Sequence, residues 1–199
     1  YTAQRFRQNG SAPLKAMLLG HFRPLARIGS LTPGIANWMN SSAIGRTIIN
    51  AIMGFDARRT VPPFSPSLKR WFRGETPPTP AQPTVALFGD CFTMYLDSGI
   101  GAAAKRVYER LGYRVTLADA GCCGRTLIST GLLEDATTQI DRTIERLRPL
   151  AEDPSVRAIL VIEPSCLSAI KDDWLQLKLE APLELRRRIA AKSFLAEEF

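Results

Sequence analysis

The chain has 199 residues, 45% of them hydrophobic and 23% charged, a balance that excludes global disorder, collagen and low-complexity sequence. No apolar run reaches the ~18 residues of a membrane span, and a single histidine, His21, excludes any site built on a histidine cluster. The net charge of +7 is lopsided: residues 1–73 hold eleven lysines and arginines against one acid, Asp56, whereas the remainder holds fifteen against eighteen.

The basic first third reads as a solvated face or as a docking surface for an acidic neighbour. It shows no nucleic-acid-binding motif, so no nucleic-acid partner is expected. Its amphipathic stretches keep contact with an anionic membrane surface open. Residues 1–73 form short predicted helices. Leu14, Met17, Leu18, His21, Leu25 and Ile28 fall near helical spacing, with Pro24 as a kink or break. On that stripe His21 reads as a packed or partly wet histidine rather than a ligand. A second helix carries Ile44, Ile48, Ile49 and Ile52, with Ser42 to cap its start and Gly54 its end. Half of the fourteen prolines lie between Pro62 and Pro83. The stretch GETPPTPAQP (74–83) reads as a semi-rigid linker. It divides the basic helical segment (1–73) from a second unit (84–199).

Past Pro83 the pattern changes. TVALFG (84–89), YRVTLA (113–118) and VRAILVIE (156–163) are short apolar runs without clean alternation, as expected of strands buried on both faces. Helical stripes lie between and after them: Ile100, Ala104, Val107, Tyr108 and Leu111; Leu133, Ala136, Ile140, Ile144 and Leu147; Leu167, Ile170, Trp174 and Leu177. Residues 182–198 read as one more helix. Alternation of strand and helix predicts a small parallel sheet with right-handed crossovers in a Rossmann-like, three-layer α/β domain. The sheet is small for independent stability. Tyr1 opens the chain in place of methionine, no signal segment follows it, and helix is still expected at Phe199. We therefore expect a piece of a longer, cytoplasmic polypeptide, with peripheral contact at the inner face of the membrane left open.

The four cysteines are the informative residues. Cys91 follows the first strand, Cys122 and Cys123 sit in the GCCGR turn after the second, and Cys166 follows the third. Each lies just past the carboxyl end of a strand. In a parallel sheet those ends share one edge, where open α/β folds bind ligands. Four chemistries remain open. Thiolates can hold an iron–sulfur cluster, with helix N-termini favouring the thiolate. Gly121 and Gly124 would then let the backbone approach it closely, and Arg125 would offset part of its charge. Four cysteines can hold structural zinc, although no Cys-x-x-Cys knuckle is present. Cys122 and Cys123 can form a labile disulfide. The plainest reading is four buried cysteines. Asp90, Tyr95, Arg125 and Glu163 lie beside them and could line an acceptor or substrate pocket; the plainer reading of each is a helix cap, a packed aromatic or a surface ion pair, and it is favoured for all but Arg125.

The spacing of Cys91, Cys122-Cys123-Gly124 and Cys166 resembles the CCG cysteine-rich domain. That domain occurs in the B subunit of heterodisulfide reductase, the glycolate oxidase iron–sulfur subunit and the anaerobic glycerol-3-phosphate dehydrogenase small subunit. FGDCFTMYLDSGIGAAA, GCCGRTLISTGLL and IEPSCLSAIKDDW look most like the first half of the duplicated CCG region in large FAD-linked, iron–sulfur 2-hydroxyacid dehydrogenases. GFDARRTVPPFSPSLKRWF is similar to the segment that precedes it. The resemblance covers about residues 40–180. It implies that Cys91, Cys122, Cys123 and Cys166 are ligands of an iron–sulfur cluster. The fullest family pattern ends Cys-x-x-Cys, and Ala169 stands at the last place. A four-cysteine 4Fe-4S cluster therefore fits better than a noncubane one.

The implied function is an electron-transfer segment of an oxidoreductase that oxidises a D-2-hydroxyacid. It would relay electrons from FAD to an unknown acceptor. FAD and a ferredoxin-like cluster domain would lie in other parts of the protein, and this chain would not catalyse oxidation by itself. The alternative is a docking module, with zinc or a vestigial cysteine site and a basic surface for a partner or membrane.

Overall fold

The computed structural model describes residues 2–8, 10–56, 59, 61–73 and 82–199. Four strands lie side by side, all parallel, in the order β2-β1-β3-β4. They are β1 (Thr84–Phe88), β2 (Arg114–Ala118), β3 (Val156–Val161) and β4 (Ser193–Leu195). The apolar runs are explained by their place. β1 is central and wholly buried, and β3 is buried except at Arg157. Side chains alternate between the faces of a strand, so each buried strand feeds two cores. Ala86, Phe88, Ile159 and Val161 point to one; Val85, Leu87, Ala158 and Leu160 point to the other.

The first core is closed by α9 (Leu133–Glu152) and α11 (Leu183–Lys192). On α9 the expected stripe holds from its second member on: Ala136, Ile140, Ile144 and Leu147 are fully buried, while Leu133 in the first turn is exposed. Trp174, in the helical run 164–176, fills the same layer. The second core is closed by α6 (Cys91–Tyr95) and α7 (Ser98–Arg110). The three-layer α/β expectation is thus met.

Two expectations are corrected. The buried face of α7 is Ser98, Gly101, Ala102, Lys105 and Tyr108, while Ile100, Val107 and Leu111 are exposed. Close approach decides this: a Cβ on Gly101 would lie 2.6 Å from Thr93 and 2.7 Å from Leu68. Lys105 is tolerated there because its ammonium meets Glu109 and lies 5.4 Å from the Phe72 ring centroid. The last predicted helix ends early, and residues 193–195 form β4 beside β3. Three residues are too few for a readable period. The linker expected over 74–83 falls, except for its last two residues, outside the described residues.

The basic first third forms five helices among the described residues: α1 (Thr2–Gln8), α2 (Leu14–Gly20), α3 (Phe22–Gly29), α4 (Pro33–Ser41) and α5 (Ala43–Met53). The break comes at His21, three residues before Pro24. Ser42 caps α5 by accepting from the Gly45 N–H, and Gly54 ends it in the left-handed region. This segment is joined to the sheet domain. Ala26 of α3 and Leu68 of a 3-10 turn (Leu68–Phe72) are fully buried in the second core. Thr126 donates to the Gly20 carbonyl, and His21 pairs with Asp135 at 3.1 Å, half in water.

If the first third is part of the domain's core, Leu68→Ala will destabilise the whole protein by about 2–5 kcal/mol. Urea unfolding followed by circular dichroism checks this. An unchanged midpoint would show the two regions to be independent.

Candidate metal centre

Each cysteine is placed by the turn that leaves a strand. After β1, the Gly89 N–H is held by the Ala118 carbonyl, 3.0 Å away. Asp90 then caps α6 by accepting from the Thr93 N–H at 2.9 Å, which makes Cys91 the first residue of that helix. After β2, the chain turns through Gly121 (φ 140°) and Gly124 (φ 86°). Packing requires both glycines. A Cβ on Gly121 would lie 2.5 Å from Thr143 Oγ1, and one on Gly124 would lie 2.6 Å from Ile140. They let α9 lie against the turn. After β3, Glu163 caps α10 (Pro164–Ser168) and also accepts from the Ser165 hydroxyl at 2.9 Å. Cys166 lies in that first turn.

The GCC turn is held from behind by three side chains. Thr143 Oγ1 donates to the Cys122 carbonyl and Trp174 Nε1 to the Cys123 carbonyl, both at 2.9 Å. Arg146 donates to the Ala120 carbonyl at 3.3 Å. These bonds satisfy buried acceptors that the ladder does not reach. None of the three was singled out from sequence as a site residue. Thr143 left a trace, as a polar residue beside the apolar stripe of α9.

The turns bring the cysteines together as two pairs of thiols. Cys91 Sγ is 3.9 Å from Cys122 Sγ, and Cys123 Sγ is 3.0 Å from Cys166 Sγ. Three are buried and Cys91 is half-buried. Their protons are shared unequally. Cys122 is held as the thiolate, far below the ordinary thiol range, by hydrogen bonds from the Cys123 and Cys91 thiols and, against its burial, from the Gly124 N–H. Cys91 is raised by its bond to Cys122 and by burial; Cys123 is raised by its bonds to Cys122 and Cys166 and by burial.

The positive charge at the thiols comes from the first third of the chain. Arg23, on α3, donates to the Gly89 carbonyl at 2.7 Å, and its Nη1 lies 3.9 Å from Cys91 Sγ. Its other Nη meets Asp119 at 2.7 Å, and the guanidinium sits 5.4 Å from the Tyr95 ring centroid. Arg125, the residue expected in this role, instead pairs with Asp173 at 3.0 Å. Asp90 and Glu163 serve as caps, and Tyr95 packs under Arg23. The helices α6, α8 (Arg125–Thr130) and α10 are each six residues or fewer, so the guanidinium and the Gly124 N–H matter more here than helix dipoles.

Four thiols on a dry sheet edge beside one cation form a donor set for soft metals. Among the described residues no three Cys, His, Asp or Glu side chains close round a single ion. Ala169 is fully buried in the apolar core.

Residues 85–171 match the CCG cysteine-rich domain family and span all four cysteines. Two curated relatives are the C subunits of the anaerobic glycerol-3-phosphate dehydrogenase from Escherichia coli strain K12 and from strain O157:H7. Each is 28% identical over 166 residues, which cover 81% of this chain and 41% of the relative. The chain thus matches about two-fifths of the length of those relatives. No solved structure matches it.

Asp119 anchors Arg23 and also meets Lys69. Burial alone would raise its carboxyl, but Lys69 and Arg23 outweigh this and hold it below the ordinary 3.8. The stability it contributes is therefore full above 3.8 and is lost as pH falls through the lowered folded value. Asp119→Asn should destabilise the protein by about 2 kcal/mol at neutral pH, because it leaves a buried guanidinium underpaired. The gap should narrow below 3.8. Urea midpoints of both proteins across that range check it, and a gap that stays constant would contradict it.

Proposed function

We propose that this chain is an iron–sulfur electron-transfer segment of a larger dehydrogenase. One observation carries the reading. Three turns far apart in sequence deliver four thiols to one dry edge of a parallel sheet, inside a cysteine-rich domain. Cys91, Cys122, Cys123 and Cys166 would hold the cluster, of the 4Fe-4S kind. When bound, it would supply a one-electron relay between a flavin and an acceptor. The chain's own residues do the rest. Thr143 and Trp174 fix the turn that presents Cys122 and Cys123, and Arg23 offsets thiolate charge at Cys91.

The flavin, as FAD, and a ferredoxin-like domain would lie in other parts of the polypeptide or complex. The motifs resemble dehydrogenases of D-2-hydroxyacids, whereas the matched relatives are named for glycerol 3-phosphate. Both substrates are secondary alcohols that give up two electrons. This chain's task, to pass electrons on, is the same for either. We favour a D-2-hydroxyacid and a cytoplasmic setting.

A second reading is favoured by one surface. Ile35, Trp38 and Met39 of α4, and Ile44, Ile48 and Ile52 of α5, are exposed, and no acid precedes Asp56. Such a surface fits a docking module for a partner protein or an anionic membrane face. Among the described residues no helix is long and apolar enough to cross a membrane.

Each single Cys→Ser variant of the full-length protein, purified without oxygen, should lose about four irons and four sulfides per chain. It should also lose one paramagnetic signal on reduction with dithionite. Wild-type iron content in all four variants would overturn the proposal. One zinc per chain without iron would support the docking reading. Reduction of the bound flavin by D-lactate or D-2-hydroxyglutarate, but not by glycerol 3-phosphate, would support the substrate assignment, and the reverse would overturn it.

A further inference from the structure

Beside the thiols lies a second feature that the cluster does not use. A cavity of about 520 Å³ opens between α3, the 3-10 turn at 68–72, the turn after β2 and α9. Its volume falls in the range of ~300–1,000 Å³ found for small-molecule sites. Six cations line it: Arg23, Arg27, Lys69, Arg70, Arg73 and Arg146. Among the described residues the lining has one carboxylate, Asp119, which already faces Arg23 and Lys69. Arg27, Arg70, Arg73 and Arg146 are exposed at the opening, and among the described residues no second carboxylate lines the cavity.

Like charges held around one concavity repel each other; Arg23, Lys69 and Arg146 are held by contacts to Gly89, Asp119 and Ala120, and Arg27, Arg70 and Arg73 add three more positive charges to the same lining. An anion would relieve the repulsion. The number of cations decides which anion. A single carboxylate needs one guanidinium fork. Two phosphates carry about three to four negative charges at neutral pH; the cations exceed Asp119 by five, or by four once Arg23 is counted toward Cys91. Guanidinium groups bind phosphate oxygens in pairs, and five of the six cations are arginines. Ser67 adds a neutral hydroxyl to the lining.

We propose that this cavity binds a small organic molecule bearing two phosphate groups. Arg23 forms its floor and is shared with Cys91, so the ligand would sit one guanidinium away from the thiols. The inference stands apart from the cluster, because the cations lie on the protein whether or not iron is bound.

Calorimetric titration of the full-length protein with inorganic pyrophosphate, at fixed ionic strength, tests it. Pyrophosphate should bind at least about tenfold more tightly than sulfate. The double variant Arg70→Gln/Arg73→Gln should weaken it by at least about tenfold, with an unchanged urea midpoint. ADP should bind at the same site and compete. Equal binding of sulfate and pyrophosphate would reduce the effect to screening and overturn the proposal, as would undiminished binding by the double variant. Tighter binding of citrate than of pyrophosphate would overturn the assignment to phosphate.

Discussion

All four strands run the same way, and the site depends on that. A parallel strand must be left by a crossover, so each turn that leaves a strand does so on the same edge of the sheet. Residues 91, 122–123 and 166 are separated by about thirty and forty positions, yet parallel pairing leaves them a few ångströms apart. Register sharpens the effect. Phe88 pairs with Ala118 across β1 and β2, and Leu87 with Leu160 across β1 and β3. The three turns therefore begin at nearly one level. An antiparallel strand in place of any one would send its cysteine to the far end.

The edge alone would deliver loose turns. What makes the GCC turn a fixed donor is the layer behind it. Gly121 and Gly124 let α9 press against the backbone, and Thr143, Arg146 and Trp174 then take carbonyls that would otherwise be unpaired. Each buried carbonyl left unpaired would cost about 1–3 kcal/mol. The same bonds that complete the core therefore hold Cys122 and Cys123 in place. Stability and site geometry rest on one set of contacts, with Trp174 in both.

Charge completes the arrangement. Thiolates in a dry setting need a compensating cation, and the sheet domain's nearest candidate in sequence, Arg125, is engaged by Asp173. Arg23 fills the need from α3, held on the Gly89 carbonyl and on Asp119. This gives the basic first third a structural role. It covers the second core through Ala26 and Leu68 and extends a guanidinium to the thiols. Its other cations gather round the neighbouring cavity, and its apolar residues on α4 and α5 remain exposed.

The sequence by itself determined the fold class and the candidate ligands. Short apolar runs separated by helical stripes specify a parallel sheet, because strands buried on both faces cannot alternate. Cys91, Cys122, Cys123 and Cys166 were legible because each follows such a run. The Ile140 and Trp174 stripes were legible because they keep a strict helical period. Tertiary structure decided what period cannot carry. Gly101 turned α7 so that Lys105 faces inward and Ile100 outward, since packing distance outweighs hydrophobicity there. β4 has three residues, too short for any pattern. Arg23 was indistinguishable from the other cations of the first third, because nothing local marks a guanidinium that binds 68 residues away. Long-range contacts are written in the packing of two segments, and neither segment holds them alone.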